Sequence, residues 1–247
     1  MCTACLSRRR FLQGAVLAAP LATAGCDLPI LVSEAEAAEM GREAWAAILQ
    51  RTPVSNAEGE VAPVRRAAAK LLAAGGHDAR EWEVAVFATD TVNAFALPGR
   101  KIGIHRGMLR LAGAEDRLAA VIGHEIGHIE AAHSRERMSA QAAGNALVQL
   151  VRWLLNMGQI EFAAEIAGAL GVGLEFGVLR PYGRGQEEEA DILGLGLMRR
   201  AGYRPEAALE LWQRMDARGG RGPEFLSTHP APQSRIRTLQ EAIAAQA

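Results

Sequence analysis

His124-Glu125-Ile126-Gly127-His128 places two imidazoles four positions apart, with a carboxylate directly after the first. A four-residue step on a helix turns a side chain by about 40°, so both rings can reach one metal ion from the same face. Neutral imidazole nitrogens bind zinc at about 2.0–2.1 Å, and Glu125, roughly 100° around from His124, can lean over the open coordination position and take a proton from water. The chemistry proposed is zinc-assisted hydrolysis, with one Zn²⁺ per chain. Leu118, Ala119, Val121, Ile122, Ile126 and Ile129 surround the motif at helical spacing and predict a helix in the domain interior. Two histidines and a glutamate there are costly unless a metal or hydrogen bonds satisfy them. A surface helix with merely solvated polar groups is the competing reading.

A catalytic zinc takes three protein ligands and leaves a fourth position for water, so another donor must lie elsewhere. His133 is close in sequence, but if the motif helix continues it sits about 180° around from His124 and points away from the metal. It reads instead as a helix-end or surface residue. In metzincins the third histidine lies six residues past the second with a glycine between them. Here those positions hold Ser134 and Ala131.

The better candidate lies in Gln186-Glu187-Glu188-Glu189-Ala190-Asp191, ahead of the apolar run Ile192 to Met198. Glu187 and Asp191 share a helical face, so one carboxylate can ligate zinc while the other accepts the free N–H of a ligating histidine. Glu187 is the favoured ligand. Glu188 and Glu189 read as acidic first-turn residues that complement the helix dipole.

Four stretches follow one another along the chain: Val92 to Gly99 with Gly107-Met108-Leu109, His124 to His128, Glu187 to Asp191 with Gly194, and Ser227-Thr228-His229-Pro230 with Arg235. Together they resemble the gluzincin peptidases of family M48, the group that includes HtpX, BepA, LoiP and the CAAX prenyl proteases. The resemblance implies a zincin-like fold and a zinc endopeptidase acting on polypeptides. It makes Glu187 the third ligand, with Asp191 its outer companion. It brings His229 near the zinc, either occupying the open position at rest or stabilising the oxyanion, and so beside Glu125 among the catalytic residues. It also implies that Asn93 to Leu97 runs along the cleft and pairs with extended substrate; an ordinary core strand is the alternative. Tyr203 and Arg235 are weaker candidates for transition-state contacts. Gly183 departs from the family, which commonly has serine there, and leaves the role of that turn open.

Ser7-Arg8-Arg9-Arg10-Phe11-Leu12-Gln13 precedes an alanine-rich apolar stretch that ends at Gly25-Cys26. A charged segment followed by a short apolar one predicts an export signal of the twin-arginine type over residues 1–25, too short to span a membrane. Thr23-Ala24-Gly25-Cys26 resembles a lipobox, which predicts a periplasmic product held to the membrane by a lipid on Cys26; cleavage after Ala22-Thr23-Ala24 would instead release it. Cys2 and Cys5 precede the arginines and leave with the signal, so the mature chain keeps one cysteine and holds no internal disulfide. Removing three arginines and no acid takes the formal charge from −1 to −4, which gives no reason for nucleic-acid binding.

The remainder suits one zinc-binding domain over residues 34–247, behind a tether at 26–33. Helices are predicted over 34–50 and 61–75, strands over 81–88, 93–97 and 101–105, the metal helix over 115–133, and a last helix over 232–245. The fold class expected is α+β, mostly α-helical, with a small sheet beside the metal helix. Residues 141–179 carry no apolar run of about 18 residues and predict a helical hairpin, serving equally well as lid or as core. A lipid-anchored chaperone or scaffold whose zinc rarely turns over, and a zinc amidase of cell-wall peptides, are the rival functions.

Overall fold

The structure, a computed structural model, describes residues 30–157, 183–217, 224–229 and 233–245. The expected signal, Cys26, most of the tether and the second half of the hairpin at 141–179 lie outside the described residues.

Helix α1 (Glu34–Arg51) starts at Ser33, whose hydroxyl accepts from the Glu36 N–H while the Glu36 carboxylate accepts from the Ser33 N–H. Helix α2 (Glu58–Ala74) buries Val64, Ala67, Ala68, Leu71 and Leu72 along one face. Three strands follow: β1 (Glu83–Phe87), β2 (Ala94–Leu97) and β3 (Lys101–His105). Their order is β1-β3-β2, with β3 parallel to β1 and antiparallel to β2. Strand β2 is therefore an edge among the described residues.

Alternation along the strands sorts side chains to two faces. Ile102, Ile104, Val86 and Ala94 join the main core with α2 and the metal helix. Phe87 and Phe95 stack on the other face, 5.8 Å between ring centroids, and Trp45 of α1 meets both rings edge-on. Gly103 lies between them on β3, where a Cβ would stand 2.3 Å from the Phe95 ring.

Helix α3 (Arg106–Ala112) ends on Gly113 at φ 63°, and α4 (Glu115–Glu130) carries the histidine motif through the core, with Leu118 to His128 buried. Helix α5 (His133–Met157) follows after a two-residue break. Its Ser139 hydroxyl accepts from the N–H groups of Leu31 and Val32 at 2.9 and 3.0 Å, tying the chain ahead of α1 onto α5. Helix α6 (Arg184–Arg200) packs along α4, and α7 (Glu206–Asp216), the short α8 (Phe225–Thr228) and α9 (Gln233–Ala244) close the far side. The molecule is mainly helical with one small sheet, as expected. No helix among the described residues is long and apolar enough to cross a membrane.

One expectation fails. The metal helix does not run to residue 133: it stops at Glu130, Ala132 turns to φ 57°, and His133 opens a new helix.

Candidate metal centre

The α4–α6 contact is built from small residues. A Cβ on Gly127 would stand 2.7 Å from the Ala190 carbonyl oxygen, and one on Gly194 would stand 3.0 Å from the Gly123 carbonyl carbon. Backbones this close let the short Glu187 and Asp191 side chains of α6 reach the imidazoles of α4. At the head of α6, Gly183 offers no hydroxyl cap; its own N–H donates to the Gln186 side chain at 3.1 Å.

His124, His128, Glu187 and His229 converge, each offering one donor atom, all within 4.8 Å of one another and all buried. The two Nε2 atoms of His124 and His128 are 3.0 Å apart. Glu187 lies 3.4 Å from each, through Oε2 to His124 and Oε1 to His128. His229 brings Nδ1 to 3.2 Å from His124 Nε2 and 3.0 Å from Glu187 Oε1. A tetrahedron of 2.0–2.1 Å bonds has edges of about 3.3 Å, so these separations suit one zinc ion. His229 reaches the cluster from the end of α8, stacked on Phe225 at 4.4 Å, while the Phe225 N–H donates to Val92 O just before β2.

Glu125 is fully enclosed and neither carboxylate oxygen has a hydrogen-bond partner among the described residues. A buried acceptor pair of this kind fits a site that receives a metal and a water. Burial pushes its carboxyl above the usual range. His229 Nε2 stands 3.7 Å from Glu125 Oε1.

The outer contacts hold the donors. His124 Nδ1 donates to Asp191 Oδ1 at 2.9 Å, and Asp191 in turn accepts from Arg235 Nε and Nη2, each at 2.8 Å. Arg235 is completely buried, reaches Glu187 Oε2 at 2.5 Å through Nη1, and stacks on the Trp212 ring at 4.4 Å. Burial alone drives the His124 imidazole down, but Asp191 and Glu187 more than reverse this and hold it at about 9. His128 stays depressed by its burial at about 3. Burial works against the Glu187 carboxylate, yet His124, His128 and His229 keep it far below the usual range. Asp191, likewise opposed by burial, is held down by His124 and Arg235.

Every candidate from the sequence falls in this cluster or against it, apart from Tyr203, whose hydroxyl donates to Glu115 Oε1 at 2.8 Å at the far end of α4. Arg235 braces the two carboxylates rather than facing a substrate. His133 is where sequence reasoning fell short. The helix break turns it back, so that it is buried with Nδ1 2.8 Å from His128 Nδ1, and its Nε2 lies 3.3 Å from Glu189 Oε2. It is a helix-end residue, but not a surface one. No glycine or proline marks Ala131-Ala132, so nothing in the sequence announces the break.

Residues 58–243 match Peptidase family M48. The chain is 38% identical over 181 residues to "Mitochondrial metalloendopeptidase OMA1" of Schizosaccharomyces pombe, covering 72% of this chain and 51% of that protein. It is 34% identical over 180 residues to the protein of the same name from Arabidopsis thaliana, covering 72% of this chain and 35% of the relative. Against the "Beta-barrel assembly-enhancing protease" of Escherichia coli K12 it is 32% identical over 158 residues, covering 60% of this chain and 31% of the relative. The chain thus spans about half or less of these relatives' lengths.

Proposed function

The chain belongs to peptidase family M48, and from that we propose that it is a zinc-dependent endopeptidase of the cell envelope that cleaves polypeptides. His124, His128 and Glu187 are the zinc ligands, Asp191 sets the His124 ring, Glu125 is the catalytic base and His229 the second catalytic residue. What supports the reading is the four-donor cluster beside a buried carboxylate that has no hydrogen-bond partner among the described residues. When bound, zinc polarises a scissile carbonyl and lowers the pKa of a coordinated water toward about 7.

Glu125 takes the proton of the attacking water and returns it to the leaving amine. Its raised pKa makes the carboxylate a stronger base for the first of these transfers. His229 fills the fourth donor position at rest. With Nε2 3.7 Å from Glu125 Oε1, its imidazole would stand beside the reacting groups to donate to the developing oxyanion once substrate takes that position.

The edge of β2 supplies a place for extended substrate. A groove of about 260 Å³ runs between Ala96, Leu97 and Pro98 and the Arg137, Met138 and Ser134 side of α5. A second, of about 380 Å³, shares Pro98 and Ser134 and reaches His128. A peptide pairing with β2 would follow these grooves toward the metal, gaining affinity from the main chain and so accepting many sequences. That breadth fits misfolded proteins as substrates.

Export across the inner membrane and a lipid on Cys26, placing the protein in the periplasm at a membrane surface, complete the proposal. Relatives are named for a mitochondrial peptidase and for a protease that enhances β-barrel assembly, so compartment rests on the leader sequence of this chain.

Glu125→Gln tests the reaction. It should keep one zinc per chain by mass spectrometry and lose cleavage of casein by about 10²–10⁴-fold. Retained cleavage removes Glu125 from the mechanism, and bound partners without fragments from the parent protein would favour the chaperone reading. Glu187→Ala should strip most of the zinc; unchanged metal content refutes it as a ligand.

A further inference from the structure

Metal-binding histidines need their second ring nitrogen held, since this sets the tautomer and the ring orientation. His124 has Asp191 for this purpose. His128 lies on the same helix one turn on, directs Nε2 at the donor cluster and turns Nδ1 toward His133 at the α4–α5 break. There Ala132, a non-glycine residue at φ 57°, adopts a left-handed backbone that L side chains disfavour. Such strain persists only where the surroundings demand it, and its effect here is to bring His133 beneath His128.

The protons can be placed throughout. A nitrogen that faces a metal carries none, so the His128 proton sits on Nδ1 and is donated across 2.8 Å to His133 Nδ1. His133 must then carry its own proton on Nε2, which faces the Glu189 carboxylate at 3.3 Å. The His133 ring is 1% exposed, whereas the Glu189 side chain is 61% exposed, so the sequence His128, His133, Glu189 runs from the site to solvent.

We propose that His133 is a positioning residue for the metal site, holding the His128 imidazole by accepting its Nδ1 proton, with Glu189 holding His133 in turn. The inference rests on the assignment of His128 as a zinc ligand. It also gives the strained turn a purpose: α5, which forms one wall of the substrate groove, is joined to the metal through its first residue.

The test compares zinc dissociation constants by chelator competition, together with melting of the zinc-stripped proteins, in the full chain and in His133→Phe, His133→Asn and Glu189→Ala. His133→Phe keeps the bulk of the ring and removes the acceptor; it should weaken zinc about 10–100-fold. His133→Asn puts an amide oxygen near the place of Nδ1 and should recover most of that loss, while Glu189→Ala should cost severalfold. Melting of the stripped proteins should change little, because the contact matters to the metal more than to the core. Equal zinc affinity in the parent and His133→Phe overturns the proposal, as does a loss that His133→Asn does not recover. Should His133→Phe fail to fold, the exposed Glu189 decides: unchanged affinity in Glu189→Ala overturns the chain of contacts. A parent that binds no zinc at all refutes the metal reading itself, an outcome distinct from either.

Discussion

A proton stands where zinc must go. In the zinc-stripped protein His124 is held at about 9, burial being outweighed by Asp191 and Glu187, whereas His128 at about 3 is already neutral and Glu187 already ionised. Zinc binding below about pH 9 must therefore expel one proton from His124. Its affinity should rise about tenfold per pH unit between pH 7 and 9, and calorimetry in two buffers of different ionisation enthalpy should count close to one proton released per zinc. An affinity flat over that range would sink this account. The sign for folding is opposite: a pKa raised from the ordinary imidazole value of 6.5 to about 9 stabilises the stripped protein fully below pH 6.5, and the contribution fades as pH rises through 9. At this scale the sequence was informative where residue type carries the chemistry. His124, Glu125, His128, Glu187, Asp191 and His229 all converge. It was half right about His133, read as a helix-end or surface residue, because burial there depends on the backbone of Ala132 and not on its own spacing.

Between elements, the spacing of α4 and α6 decides whether oxygen and nitrogen donors meet. Gly127→Ala would press a methyl group to 2.7 Å from the Ala190 carbonyl oxygen, where neither backbone can give way. It should cost about 1–3 kcal/mol by overpacking and also move Glu187 off the histidines, so that melting temperature and zinc content fall together. Gly196→Ala, on α6, meets only the flexible end of Arg200, at 3.3 Å, and should instead stabilise by about 0.5–1 kcal/mol without touching the zinc. A zinc content in Gly127→Ala equal to that of the parent would show that the helices can part without cost to the site. Strands and helices were legible because periods of two and 3.6 leave a clear trace, as in Glu83–Phe87 and Glu115–Glu130. The end of α4 was not, since alanine favours helix and nothing local opposes its continuing.

For the molecule as a whole, a zinc ion held as proposed would cross-link α4, α6 and the end of α8. A ligand bound only by the folded state stabilises by RT ln(1 + [L]/Kd), about 4 kcal/mol at a thousandfold excess over Kd, so stripping zinc should lower the melting temperature by several degrees and re-addition should restore it. The order β1-β3-β2 was beyond sequence reading, because it depends on which pairing leaves Phe87 and Phe95 free to stack over Gly103. The hold of Ser139 on Leu31 and Val32 has a bearing on reach. With Leu31 and Val32 pinned beside α5, a chain running from Leu31 to a Cys26 acylated as proposed would have five steps of at most about 3.6 Å each, roughly 18 Å in all. Were that proposed anchor in place, so short a mooring would keep the enzyme grazing the headgroups instead of patrolling the aqueous space.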